Sequence, residues 1–161
     1  MKGVLAAVTA ATLLACGSET SGPEMPSAAT TVTMEDIVTL QTAWSGYESP
    51  ARLLITSETQ WAEAWARIYS NISPVPVRPA VDFSQNVIVL VAMGQRPTTG
   101  YSVNITETRV HGNSLYVRVT ERLPGPSCGT GQALTAPVHA VQVPRQSGGA
   151  QFIVDRQTFS C

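Results

Sequence analysis

Seven consecutive apolar residues, Val87-Ile-Val-Leu-Val-Ala-Met93, stand near the middle of the chain. The run is too short for a spanning helix, which takes about 20 residues. It reads as a strand with no solvent-facing side, so it must be covered on both faces. The rest of the chain has to supply that cover. Tyr101, Val103 and Ile105 alternate with Ser102, Asn104 and Thr106, and Leu115, Val117 and Val119 alternate with Tyr116, Arg118 and Thr120. Such alternation marks half-buried strands, and His111-Gly112-Asn113 between them supplies a hairpin turn. Short strands are also expected at 37–40, 52–56, 138–143 and 151–155, the last two joined by Gln146-Ser-Gly-Gly149.

One segment has helical period instead. Trp61, Trp65, Ile68 and Tyr69 fall at i, i+4, i+7 and i+8 and share a face. Ser57 is placed as an N-cap, with Gln60 three residues on at the capping-box spacing. The paired tryptophans read as core packing against a sheet in preference to a ligand platform. Residues 71–80 hold three prolines and admit no regular structure. The fold class expected is α+β: a mostly antiparallel β-sheet or sandwich of about six strands, with an amphipathic helix over about 57–70 packed on it.

The ends of the chain are different in kind. Residues 1–16, MKGVLAAVTAATLLAC, pair one cation, Lys2, with a short apolar stretch, as in a secretory signal. Leu13-Leu14-Ala15-Cys16 resembles the bacterial lipobox. That resemblance implies cleavage after Ala15, lipidation of Cys16 and a membrane anchor in the cell envelope. No Asp follows Cys16, which favours the outer membrane in a host with two. Several acyl chains at about 0.8 kcal/mol per buried methylene would hold the chain stably. Residues 16–35 are small, polar and proline-bearing and read as a lipidated flexible tether, with a single globular domain over 36–161. With 161 residues, 10 Lys+Arg and 11 Asp+Glu, the chain has a net charge of −1. That balance argues against a nucleic-acid partner, which needs a basic face.

Cys128 and Cys161 remain as an even pair in an oxidising compartment, and a disulfide between them is expected. The alternative makes Cys128 a nucleophile with His139 as its base. No Asp or Asn is obviously placed to orient that imidazole, and His139 shares a strand face with Val141 and Val143, where a hydrogen-bonded structural histidine is expected. No metal or cofactor motif stands out. The charged residues Glu107, Arg109, Arg118, Glu121 and Arg122 are expected as pairs on a solvent face. No convergent catalytic set emerges, so the chain is read as a non-enzyme.

Two segments carry a resemblance. The first runs from Val81 through the apolar strand to Gly94-Gln95-Arg96-Pro97-Thr98-Thr99-Gly100-Tyr101. The second is Pro124-Gly-Pro-Ser-Cys128, followed by Gln132-Ala-Leu-Thr-Ala-Pro137-Val-His139. In this order, and with the upstream Trp61/Trp65 helix, they resemble the C-terminal domain of the PrcB family. The namesake of that family is a bacterial surface lipoprotein that associates with a secreted protease and stabilises it. The resemblance thus implies a non-catalytic protein-binding module with a secreted or surface protease as partner. More locally, Arg96-Pro-Thr-Thr-Gly-Tyr101 is similar to the cleft-inserting loop of chagasin-type cysteine-protease inhibitors. Here Pro97 would stiffen the loop, Gly100 would adopt positive φ, and the Thr98 and Thr99 hydroxyls would reach partner backbone. The expected partner-binding residues are Gln95, Arg96, Pro97, Thr98, Thr99, Gly100 and Tyr101, with the Pro124–Gly131 loop second.

Overall fold

The computed structural model describes residues 23–41 and 44–161. The signal-like segment 1–15, Cys16 and residues 17–22 of the proposed tether lie outside the described residues. Eight strands and one helix follow in the order β1 (Thr30–Thr31), β2 (Glu35–Leu40), β3 (Ala51–Ile55), α1 (Glu58–Ile68), β4 (Asn86–Ala92), β5 (Ser102–His111), β6 (Ser114–Pro124), β7 (Val138–Pro144) and β8 (Ala150–Phe159). They form two four-stranded sheets, ordered β1-β5-β6-β8 and β2-β7-β4-β3. The sheets face each other, and α1 lies on the outer face of the second.

The central apolar run sets this three-layer arrangement. In β4, Ile88, Leu90 and Ala92 pack toward Trp61, Trp65 and Ile68 of α1. Val87, Val89, Val91 and Met93 point the other way, against Val103, Ile105, Leu115, Val117 and Val119 of the facing sheet. Its neighbour β7 divides in the same way, with Val138 and Ala140 toward the helix and Val141 and Val143 toward the other sheet. Period-two alternation on two strands, each covered twice, builds two cores back to back.

The helix begins where the capping residues place it. Ser57 is extended and its side chain accepts from the Gln60 N–H, while Gln60 Oε1 accepts from the Thr56 N–H at 2.8 Å. Trp61 and Trp65 meet edge to face with centroids 5.2 Å apart. Their indole N–H groups donate to the carbonyls of Pro79 and Pro76 at 3.1 and 3.0 Å. The proline segment is thus a strap over the helix, which satisfies two buried indoles that would otherwise cost about 1–3 kcal/mol each.

The turn at 111–114 is a two-residue hairpin with Gly112 at φ +58°. Nearly all strand pairs are antiparallel, but β6 and β8 run parallel. The chain leaves β6, descends the opposite sheet as β7 and returns to the first sheet as β8, so β8 arrives in the direction of β6.

Two readings are corrected. The tether is not structureless up to residue 35: Thr30 and Thr31 pair with Val110 and Arg109, and β2 starts at Glu35. Eight strands replace about six, because β1 is too short to show a period. The segment 44–50 packs inward: Ser45 and Tyr47 are buried, and Ser45 Oγ donates to the Ala136 carbonyl at 2.8 Å.

Candidate functional site

The two segments singled out in the sequence come together at one end of the sandwich. Residues 94–101 connect β4 to β5, and residues 125–137 connect β6 to β7. Arg96 and Thr135 exchange backbone hydrogen bonds of 2.7 and 3.1 Å, a single rung of antiparallel ladder outside the sheets. The Thr99 N–H donates to the Gly131 carbonyl at 3.0 Å, and the Gly131 N–H donates to Thr99 Oγ1 at 2.8 Å. Thr135 Oγ1 donates to the Thr98 carbonyl at 3.0 Å. Five bonds therefore knit two loops into one platform.

The platform is anchored at both flanks. Gly94 has φ +76°, and a Cβ there would lie 2.8 Å from the Pro50 nitrogen, so the close approach of residues 48–50 requires glycine. The Gln95 N–H donates to the Glu48 carbonyl at 2.9 Å. On the other side Cys128 is bonded to Cys161, with Cα atoms 4.9 Å apart, and the Gly125 N–H donates to the Phe159 carbonyl at 2.8 Å. The last residue of the chain is thereby tied beneath the second loop. The disulfide pairing expected from the sequence is borne out. It also leaves Cys128 without the free thiol that the nucleophile alternative needs.

Gly100 takes positive φ, +96°, as expected. The roles of Arg96, Thr98 and Thr99 differ from expectation. Their polar groups face the protein. Thr98 Oγ1 donates to the Thr99 carbonyl, and Thr99 Oγ1 accepts from Gly131. Arg96 Nη2 donates to the Met93 carbonyl at 2.7 Å, and its guanidinium carbon stands 5.7 Å from the Tyr101 ring centre. Its Nε is buried with no described partner. The hydroxyls shape the loop and do not reach outward. What faces solvent is Gln95, Pro97 and Gly100 from the first loop, and Pro126, Ser127, Gly129 and Gly131–Leu134 from the second. Leu134 is 46% exposed. Sequence reasoning passed over Leu134 and Thr135, because nothing in their type separates an outward Leu from a core one. Arg96 is the one charged residue in 94–101 and 124–137, and it is turned inward. The outer surface is thus uncharged, stiff and partly apolar.

Below the platform three polar side chains brace the two sheets. Gln41, just after β2, donates to the Val103 carbonyl at 2.8 Å and accepts from the Val103 N–H at 3.0 Å. His139, on β7, accepts from the Ile105 N–H through Nδ1 at 2.9 Å. That amide is free because β5 shifts register between Ile105 and Glu107. Nε2 then carries the proton and faces Asp36 Oδ1 at 3.2 Å. Burial pushes the imidazole below its ordinary pKa, against the opposing pull of Asp36. This is a structural histidine in the sandwich interior, as its strand position suggested. Glu121 corrects the solvent-face reading. It is buried between the sheets, with its carboxylate 3.5 Å from Arg52 on β3 and 2.9 Å from Arg156 on β8. Only Glu107, Arg109 and Arg118 form the expected outer-face cluster, where hydrogen bonds from Arg109 and Arg118 lower the Glu107 pKa. Among the described residues no three of His, Cys, Asp and Glu gather as a metal site.

The family model described as PrcB C-terminal matches residues 87–144. That span begins within β4, ends with β7 and contains both platform loops. The chain therefore carries a PrcB C-terminal-like region, as the two quoted segments indicated; the match does not extend to chagasin-type inhibitors. No curated protein and no solved structure matches the chain.

Proposed function

We propose that this chain is an envelope-anchored, non-catalytic binding module that presents the 94–101/125–134 platform to a secreted or surface protease. The observation that carries the reading is the five-bond junction between the two loops, inside the region that matches the family model. Loops fixed on a rigid scaffold are where recognition residues collect, and a surface already ordered loses little freedom on binding. An uncharged surface with an outward Leu and prolines suits the core of a protein interface. Anchoring through Cys16 belongs to the same reading.

The test is recovery of partners from the native envelope with the intact lipidated chain as bait. Pro97→Glu and Leu134→Glu place a charge on the outer surface without touching the loop bonds. Loss of a co-purified protease with both variants supports the reading, and undiminished recovery contradicts it. The lifetime and peptidase activity of the recovered protease then separate stabilisation from inhibition. Incorporation of labelled palmitate, abolished by Cys16→Ala, tests the anchor.

A further inference from the structure

Each sheet ends in two edge strands. In the first sheet β1 is only two residues long, and β8 bears Asp155 and Arg156, both engaged with β6. In the second sheet β2 is interrupted by a register shift between Asp36 and Val38. Short length, charge and bulges are the usual ways of blunting an edge. The remaining edge, β3, has no proline, no bulge and no lysine, and its one charged side chain, Arg52, is turned to Glu121 of the facing sheet. Its five residues pair in unbroken register with β4 on one side. On the other side no described group bonds to its backbone.

Beside that free edge lies an open cavity of about 310 Å³, between β3 and α1. Its floor is apolar, formed by Leu53, Ile55 and Ala64, with Tyr47 at one end. Leu53 is 37% exposed there. Two charged side chains stand at the mouth, Glu63 and Arg67. Arg67 is engaged: its Nε donates to the Gly46 carbonyl at 3.1 Å, and its guanidinium lies 4.7 Å from the Tyr47 ring centre. Glu63 makes no ion pair among the described residues. The Arg67 charge is thus held beside Tyr47, and the Glu63 carboxylate is the acidic group left open to a basic side chain of a partner.

We infer that β3 and this cavity form a strand-addition site for an extended segment of a partner protein, with an apolar side chain entering the cavity and a basic side chain meeting Glu63. Main-chain bonds to the β3 edge would supply general affinity, and alternate side chains would supply selectivity. Five residues at about 3.4 Å each give a bound segment near 17 Å long. Alternation then puts two or three of its side chains on the cavity side. The site is independent of the loop platform, and either can fail without the other.

The probe is a displayed library of random linear ten-residue peptides, selected on the mature full-length chain. The tightest binder is then synthesised. The expected sequence alternates apolar residues and carries Lys or Arg. Its binding should slow hydrogen exchange at the amides of 51–55. Leu53→Glu is expected to weaken it at least tenfold. Glu63→Arg is expected to weaken it as well, and a peptide with its basic residue changed to Glu should recover affinity for that variant. Leu134→Glu, on the platform, should leave the affinity unchanged, and circular dichroism confirms that each variant is folded. Enrichment of no peptide, protection confined to other segments, or affinity indifferent to Leu53→Glu and Glu63→Arg would overturn the proposal.

Discussion

Replacing Cys128 and Cys161 together by serine removes a link across a sequence separation of 33 residues. The chain-entropy relation for a loop of that size gives about 3.7 kcal/mol at 25 °C, as relief of the unfolded chain. The link joins the final residue of the chain to the loop after β6, so nearly one quarter of the described domain lies inside it. In the folded state the Gly125–Phe159 backbone bond still holds β8 near that loop. The double variant should therefore fold with its sheets intact. For a domain of this length, that loss corresponds to a fall of roughly 10–20 °C in the thermal midpoint. Thermal unfolding followed by tryptophan fluorescence measures it, with dithiothreitol on the native chain as the parallel arm. A midpoint within 2 °C of the native chain would refute the reasoning, since the closed loop would then be contributing nothing. Because Gly131 is bonded to Thr99, amide exchange should also rise across 96–101, although the cysteines are not in that loop.

Other outcomes follow from the bracing groups. The folded pKa of His139 lies below its unfolded value, so its contribution is complete above about pH 6.5 and declines as acid protonates the unfolded chain first. The urea midpoint should fall between pH 6.5 and the folded pKa, and His139→Gln should lose that slope. A native chain with no slope there would contradict a neutral buried imidazole. Glu121→Leu removes a buried carboxylate and leaves two partly exposed arginines, so its cost should be modest, about 1–2 kcal/mol by urea titration. Thr99→Val deletes the acceptor for Gly131 and should cost about 0.5–1.5 kcal/mol, with faster exchange at the Gly131 amide.

Much of the layering was legible because burial on two faces leaves a one-dimensional trace. The run 87–93 demands cover on both sides, and the Trp61–Ile68 stripe and the 101–120 alternation name what covers it. The cap at Ser57, the turn at Gly112 and the Cys128–Cys161 pair are likewise local or countable. What stayed hidden depends on pairing between distant segments. Thr30–Thr31 is a strand only because β5 offers an edge. Glu121 has the pattern of a surface acid, and its burial is set by Arg52 and Arg156, which lie 69 and 35 residues away. The platform shows both cases. Its two loops could be picked out by their family resemblance, but the inward turn of Arg96, Thr98 and Thr99 follows from partners at Met93 and at Gly131 and Thr135. Side-chain type says that a threonine can bond, not in which direction.

The central claim is that the outer surface of the two knitted loops contacts a protease. A photo-crosslinking residue placed at Pro97 or at Leu134 of the lipidated chain in its native envelope, with one at Gln151 on β8 as the reference position, tests that contact directly. The account expects a covalent adduct with a secreted or surface protease from Pro97 and Leu134, and none from Gln151. Adducts from Gln151 alone, or none from either loop while the protease is present, would contradict it.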